Sequence, residues 1–150
     1  MSIDAAETIA ALTALGARAR DGMRDTVNAV LADLQDKAQG FAPIGTEGNA
    51  TDPPGTLRDS IVPTPAVGSG GIYTGDVGPT TIYGRQRELG GPIDPKRVGG
   101  WMIFEIFGER VRTDHVYQHP EPYMKPARDL EDAPAIRITL EKMTAVIAGS

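Results

Sequence analysis

The chain has no cysteine, which excludes disulfide bridges and thiolate metal sites. No stretch approaches the roughly eighteen consecutive apolar residues that a membrane helix needs. The opening Met1-Ser2-Ile3-Asp4 lacks a basic region followed by an apolar stretch, so no secretion signal is expected there. Positive charge is also short. Fifteen Lys and Arg against 20 Asp and Glu leave a net charge of −5, with no basic stripe, so gripping nucleic-acid phosphates is not the expected mode. Large apolar side chains are scarce as well. Leu, Ile, Val and Phe make up 32 of the 150 residues, just above the level of roughly 20% below which chains stay disordered. A length of 150 residues fits one compact domain. Its core is thin, and part of the stabilising burial is expected to come from copies of itself or from partners.

What is present sorts into three zones. Residues 4–39 contain no proline and are rich in Ala, Leu, Arg and Gln, which favour helix. Ile9, Leu12, Ala19, Met23, Val27, Val30 and Leu34 recur in steps of three, four or seven, one stripe of an amphipathic helix, and Leu15 and Leu31 widen it. Asp4 can cap its start, and Gly40 followed by Pro43 marks its stop. A single helix there would run about 50 Å at about 1.5 Å per residue, with Gly16 and Gly22 as places for a bend or break.

The middle zone, 40–126, holds 15 of the 18 glycines and 11 of the 12 prolines. Residues 41–55 read as a long exposed loop, polar enough to remain outside a core and long enough to act as an interaction arm. Strands are expected at 60–67 and 71–78, joined by Gly68-Ser69-Gly70, with Pro63 and Pro65 placing the first at a sheet edge. The clearest β pattern spans 101–118, where Gly108-Glu109 suits a hairpin turn with glycine first. That turn puts Phe107 opposite Arg110, Ile106 opposite Val111 and Glu105 opposite Arg112. Met102, Phe104 and Ile106 then share a face with Val111, Thr113 and His115. In the third zone Ile136, Leu140, Met143 and Ile147 step by four, three and four, a second helical stripe. Pro134 belongs in a first turn, so a break is expected near Asp132 or Ala133.

The residues that could carry chemistry have plainer explanations. His115 and His119 lie near Glu105, Asp114 and Glu121, a possible zinc set. In a strand, however, positions four apart are separated by about 13 Å, so His115 is expected to face the core and His119 to open the Pro-rich turn. Gly68, Gly70, Gly71, Gly75 and Gly78 lack the Gly-Lys-Ser/Thr and helix start of a phosphate loop, and hairpin turns explain them. Ser60 and Ser69 lack a nearby histidine. Glu88, flanked by Arg85 and Arg87, reads as a charge pair rather than a general base, and Lys96 and Arg97 as part of a mixed-charge surface. No catalytic set, metal site or cofactor is expected, although a small hydrolase using Glu88 or the histidines is the alternative from another class.

Three blocks, in order, resemble the head–tail joining and tail-completion proteins of long-tailed bacteriophages. They are Ala42-Pro43 with Pro54-Gly55-Thr56-Leu57-Arg58-Asp59-Ser60-Ile61, then Ile82-Tyr83-Gly84 with Glu88-Leu89-Gly90, then His119-Pro120-Glu121-Pro122-Tyr123-Met124-Lys125-Pro126-Ala127. The Gly55-Thr56 order, the long 41–55 loop and the 90–100 insert depart from the family pattern. The resemblance implies an α+β fold with a long N-terminal helix, a small mainly antiparallel sheet and C-terminal helices. It divides the single domain into a helix at 1–40, an arm at 41–56, a sheet region at 57–122 and helices at 123–148. It implies a non-enzymatic virion protein, assembled in the host cytoplasm into a ring, six-fold in the family, at the neck. Such a ring contacts neighbouring neck proteins and the tail terminator or tail tube, lets DNA pass without specific binding, and has no membrane partner. A tail terminator capping the tube is the alternative within the class. Leu57, Ile61, Tyr83, Glu88, Tyr123 and Met124 are the candidate interaction residues.

Overall fold

The computed structural model describes residues 5–45, 53–95, 99–106 and 108–149. Asp4, residues 46–52 of the proposed 41–55 arm, Lys96, Arg97, Phe107 and the side chain of Ile106 lie outside that description. The architecture is α+β, with a long first helix, short antiparallel ladders and C-terminal helices.

Helix α1 (Ala5–Phe41) runs without a break through Gly16 and Gly22. Gly22 has a packing reason, because a Cβ there would lie 2.3 Å from Val146 Cγ2. After the undescribed loop comes the turn α2 (Thr56–Asp59), preceded by Gly55 at φ 92°. The strands β1 (Ile61–Pro63), β2 (Val67–Ser69), β3 (Ile72–Thr74) and β4 (Val77–Pro79) then form one interrupted hairpin, β1 with β4 and β2 with β3. Its turn is Gly70-Gly71, both at positive φ (65° and 88°), rather than the expected 68–70 link. Two successive positive-φ residues give a turn whose twist matches the strands, and glycine takes both positions without a Cβ clash.

Between the two ladders the register slips by one. Pro65 and Ala66 stand opposite Gly75 alone, which is a bulge. The Ala66 N–H, lost to the ladder, donates to Asn28 Oδ1 of α1 at 2.8 Å. Gly75 lets the strand close onto α1, since a Cβ there would be 2.5 Å from Leu31 Cδ1.

Helix α3 (Gly84–Leu89) leads into β5 (Gly91–Ile93). Strands β6 (Met102–Ile106) and β7 (Glu109–Thr113) form the expected hairpin, and β8 (Val116–Gln118) pairs back with β5. Among the described residues the strands make four two-stranded antiparallel ladders. The β6–β7 register differs from expectation. Glu105 faces Arg110, Ile106 faces Glu109 and Ile103 faces Arg112, with Gly108 as the second loop residue at φ 82°. The shift moves each pairing by two positions, so face membership is unchanged. Met102 and Phe104 still share a half-buried face with Val111 and Thr113.

Helices α4 (Met124–Asp129) and α5 (Asp132–Ala148) finish the chain. The break falls at Leu130 and Glu131, just before the expected place, with Pro134 in the first turn of α5. Helix α5 packs antiparallel on α1, Glu131 meeting Lys37, Val146 meeting Gly22 and Gly149 lying beside Arg18. Of the expected α5 stripe only Met143 packs. Ala135, Ile138, Met143 and Val146 are half-buried, while Ile136, Leu140 and Ile147 are exposed. The apolar arc of α5 is wider than one neighbouring helix can cover. Among the described residues no helix is long and apolar enough to cross a membrane.

Candidate functional site

The three sequence blocks, far apart in the chain, meet in the structure. Their meeting point is the main core cluster, made of Ala38, Ala42, Leu57, Ile61, Tyr123 and Ala127, with Leu34, Val77, Tyr83 and Met124 partly buried against it. The alanines let α1 and α4 approach closely, and the large volume is supplied by Ile61 and Tyr123, both fully buried. Each such side chain contributes about 1.5–3 kcal/mol by leaving water.

The polar groups of this cluster are matched in detail. The Ile61 carbonyl accepts from Gln35 Nε2 at 2.8 Å and Gln39 Nε2 at 3.1 Å, so two α1 amides serve the backbone of β1 where no second strand lies. The Tyr123 hydroxyl donates to the Gly84 carbonyl at 3.1 Å. Gly84 is buried against Pro79, and a Cβ there would reach within 2.5 Å of Pro79 Cγ, so only glycine allows this approach. Burial first, and the nearby Glu88 charge second, push the Tyr123 phenol up to about 12.

Glu88 makes the least replaceable contact. Its Oε2 accepts from Tyr123 N–H (2.6 Å) and Met124 N–H (2.9 Å), and its Oε1 from Lys125 N–H (2.9 Å). These are donors that the start of α4 cannot satisfy internally. Neither Tyr123 nor any other residue at that end supplies a side-chain cap, so the cap comes from α3. Arg87 reinforces the link, its guanidinium reaching Glu121 Oε2 at 2.9 Å while its carbonyl accepts from Glu121 N–H at 2.8 Å. The Arg87 charge is thus paired with Glu121, and Glu88 is engaged by backbone.

All six candidate residues are therefore brought together: Leu57, Ile61, Tyr83, Tyr123 and Met124 in one cluster, and Glu88 on its rim. They hold α1, α2, α3 and α4 to one another within the protomer, with Leu57, Ile61 and Tyr123 buried. A second tie links α1 to the last helices. Lys37 contacts both Asp33 and the buried Glu131, whose Oε1 has no hydrogen-bond partner. The Lys37 hydrogen bond holds the Asp33 carboxyl below the ordinary carboxylate range.

The histidines do not converge on a site. The expectation that His115 faces the core is wrong: its side chain is 71% exposed, with Nδ1 2.7 Å from Asp114 Oδ1. Strand β7 ends at Thr113, so the alternation that would have turned His115 inward stops before it. His119 packs edge-on to Tyr117 at 5.7 Å. Among the described residues no group of three or more His, Asp or Glu could hold a metal ion.

Two surfaces escaped the sequence reading. One is an open apolar groove of about 440 Å³ between α1, β3 and α5, lined by Met23, Val27, Ile72, Tyr73, Thr139 and Met143. No short motif marks it, because its walls are contributed from three distant segments. The other is the outer face of the β6–β7 hairpin, where Arg112 lies 4.1 Å over the exposed Trp101 ring and Ile103 is open to solvent. The alternation of residues 101–105 was its available signal. No protein-family model, curated protein or solved structure is significantly similar to the chain.

Proposed function

We propose that this chain is a structural component of the head–tail junction of a long-tailed bacteriophage, assembling with copies of itself into a ring through which DNA passes. The observation that carries the reading is the convergence of the three resembling blocks. Residues 54–61, 82–90 and 119–127 share one cluster, in which Leu57, Ile61, Tyr83, Glu88, Tyr123 and Met124 all take part. A pattern that serves one core is a coherent unit, and its six residues belong to scaffolding rather than turnover. Glu88, the alternative general base, has its carboxylate occupied by three backbone donors, which favours the structural reading over a small hydrolase.

A thin core agrees with a protein completed by neighbours. So does the set of large apolar side chains left in water, among them Ile9, Leu12, Trp101, Ile103, Ile136, Leu140 and Ile147. The test is direct. Light scattering and negative-stain microscopy of the purified chain should show a closed ring, and an antibody to it should label the neck of particles from the genome that encodes it. A strict monomer at all concentrations, or label elsewhere on the particle, sinks the proposal.

A further inference from the structure

Two exposed apolar surfaces match. The first is the start of α1. Helix α5 ends beside Arg18, so Ile9, Leu12 and Leu15 lie on the part of α1 beyond its end. Ile9 and Leu12 are 64% and 62% exposed there, with Leu15 close behind. They lie on the stripe that includes Met23 and Val27, so this patch continues the α1 face that borders α5 further along. The only charge in the segment is Glu7. At about 100° per residue it falls on the other side of the helix from Ile9 and Leu12.

The second surface is the outer arc of α5 with the groove beside it. Ile136, Leu140 and Ile147 are 63%, 64% and 78% exposed. Met143, on their flank, forms with Thr139 the α5 wall of the groove, and no charged side chain lines it. The lengths agree: residues 5–16 span about 18 Å of helix and residues 136–147 about the same, at about 1.5 Å per residue. An uncharged helical stripe laid on an uncharged groove buries no unpaired charge, and Ile9, Leu12 and Leu15 follow one another at the three-residue spacing of helix-in-groove contacts.

We propose that a second copy of this chain is the occupant: residues 5–16 of one protomer dock on the α5 outer arc and groove of the next, head to tail. The inference rests on the ring reading and names the contact that would build the ring. Each copy offers one overhang and one groove, so each has two neighbours, which is what a heterologous contact needs in order to close.

The test uses Leu12→Asp and Leu140→Asp in the full chain. Both residues are exposed in the protomer, so circular dichroism and melting should stay near wild type. Each variant alone should fall to monomer mass by light scattering. Mixed in equal amounts they should form a dimer and stop, because Leu12→Asp keeps its groove and Leu140→Asp keeps its overhang. Wild-type mass in either variant, or a mixture that remains monomeric, overturns the docking while leaving a ring built by other contacts possible. A monomeric wild type overturns both.

Discussion

Replacing Glu88 tests the junction at its narrowest point. In Glu88→Ala the N–H groups of Tyr123, Met124 and Lys125 lose their acceptor together. Bonds to a charged acceptor contribute about 1.5–3 kcal/mol each, but the Lys125 contact is exposed and water replaces it at little cost. The two bonds to Oε2 are partly buried, which puts the expected loss at roughly 2–4 kcal/mol. For a chain of this size about 2–4 °C accompanies each kcal/mol, so the melting temperature should drop by roughly 5–15 °C. Glu88→Gln keeps the shape, and its one oxygen can still serve Tyr123 and Met124. Its NH2 then confronts the Lys125 N–H, so its cost should be intermediate. Urea unfolding followed by Trp101 fluorescence measures both, at one fixed protein concentration because assembly adds to apparent stability. Hydrogen exchange at 123–125 should accelerate in parallel. A Glu88→Ala midpoint within about 0.5 kcal/mol of wild type, the range of ordinary surface substitutions, would refute the reasoning.

Three further outcomes are expected. Tyr123 ionises near 10 when unfolded but holds its proton to about 12 when folded. Raising the pH from 10 to 12 therefore favours the unfolded chain, by roughly 2–3 kcal/mol, and denaturation curves across that window should show Tyr123→Phe losing less stability than wild type. Gly75→Ala should cost about 1–3 kcal/mol, because its Cβ would meet Leu31 Cδ1 at 2.5 Å and the Thr64 carbonyl at 2.9 Å; a melting temperature equal to wild type would count against the close approach at the bulge. Duplex DNA titrated at about 50 mM salt should bind weakly, since a ring of six copies, the number the proposed phage-neck role implies, would carry six times −5, or −30, and submicromolar affinity would overturn the proposed passive conduit in favour of a clamp.

The helices were legible because proline is excluded from 4–39 and apolar steps of three and four persist. Tyr123, Leu57 and Ile61 were legible as a set only through the resemblance, since nothing in their spacing says that they touch. Two misreadings have one physical source each. Glycine is accepted at either position of a two-residue loop, so Gly108 alone could not fix the β6–β7 register, although the side-chain faces survived the slip. The stripe chosen for α5 was a real apolar arc, but Ile138 and Val146 offered another, and the choice between them was made by Gly22 on α1. The Glu88 cap was invisible for a related reason: it joins residues 35 and more positions apart, and no local pattern announces a cap supplied from elsewhere in the chain.

The order of elements sets a schedule for synthesis. Helix α1 has its whole apolar face once residue 41 is made, while its cover, α5, is complete only at residue 148. At about 5–20 residues per second, ribosomal output leaves that face bare for roughly 5–20 s. During this interval a nascent chain exposes the surface on which a finished neighbour's α5 could settle, so crowded polysomes favour intertwined pairs, and holding chaperones should engage this chain early and release it only after its last helix emerges.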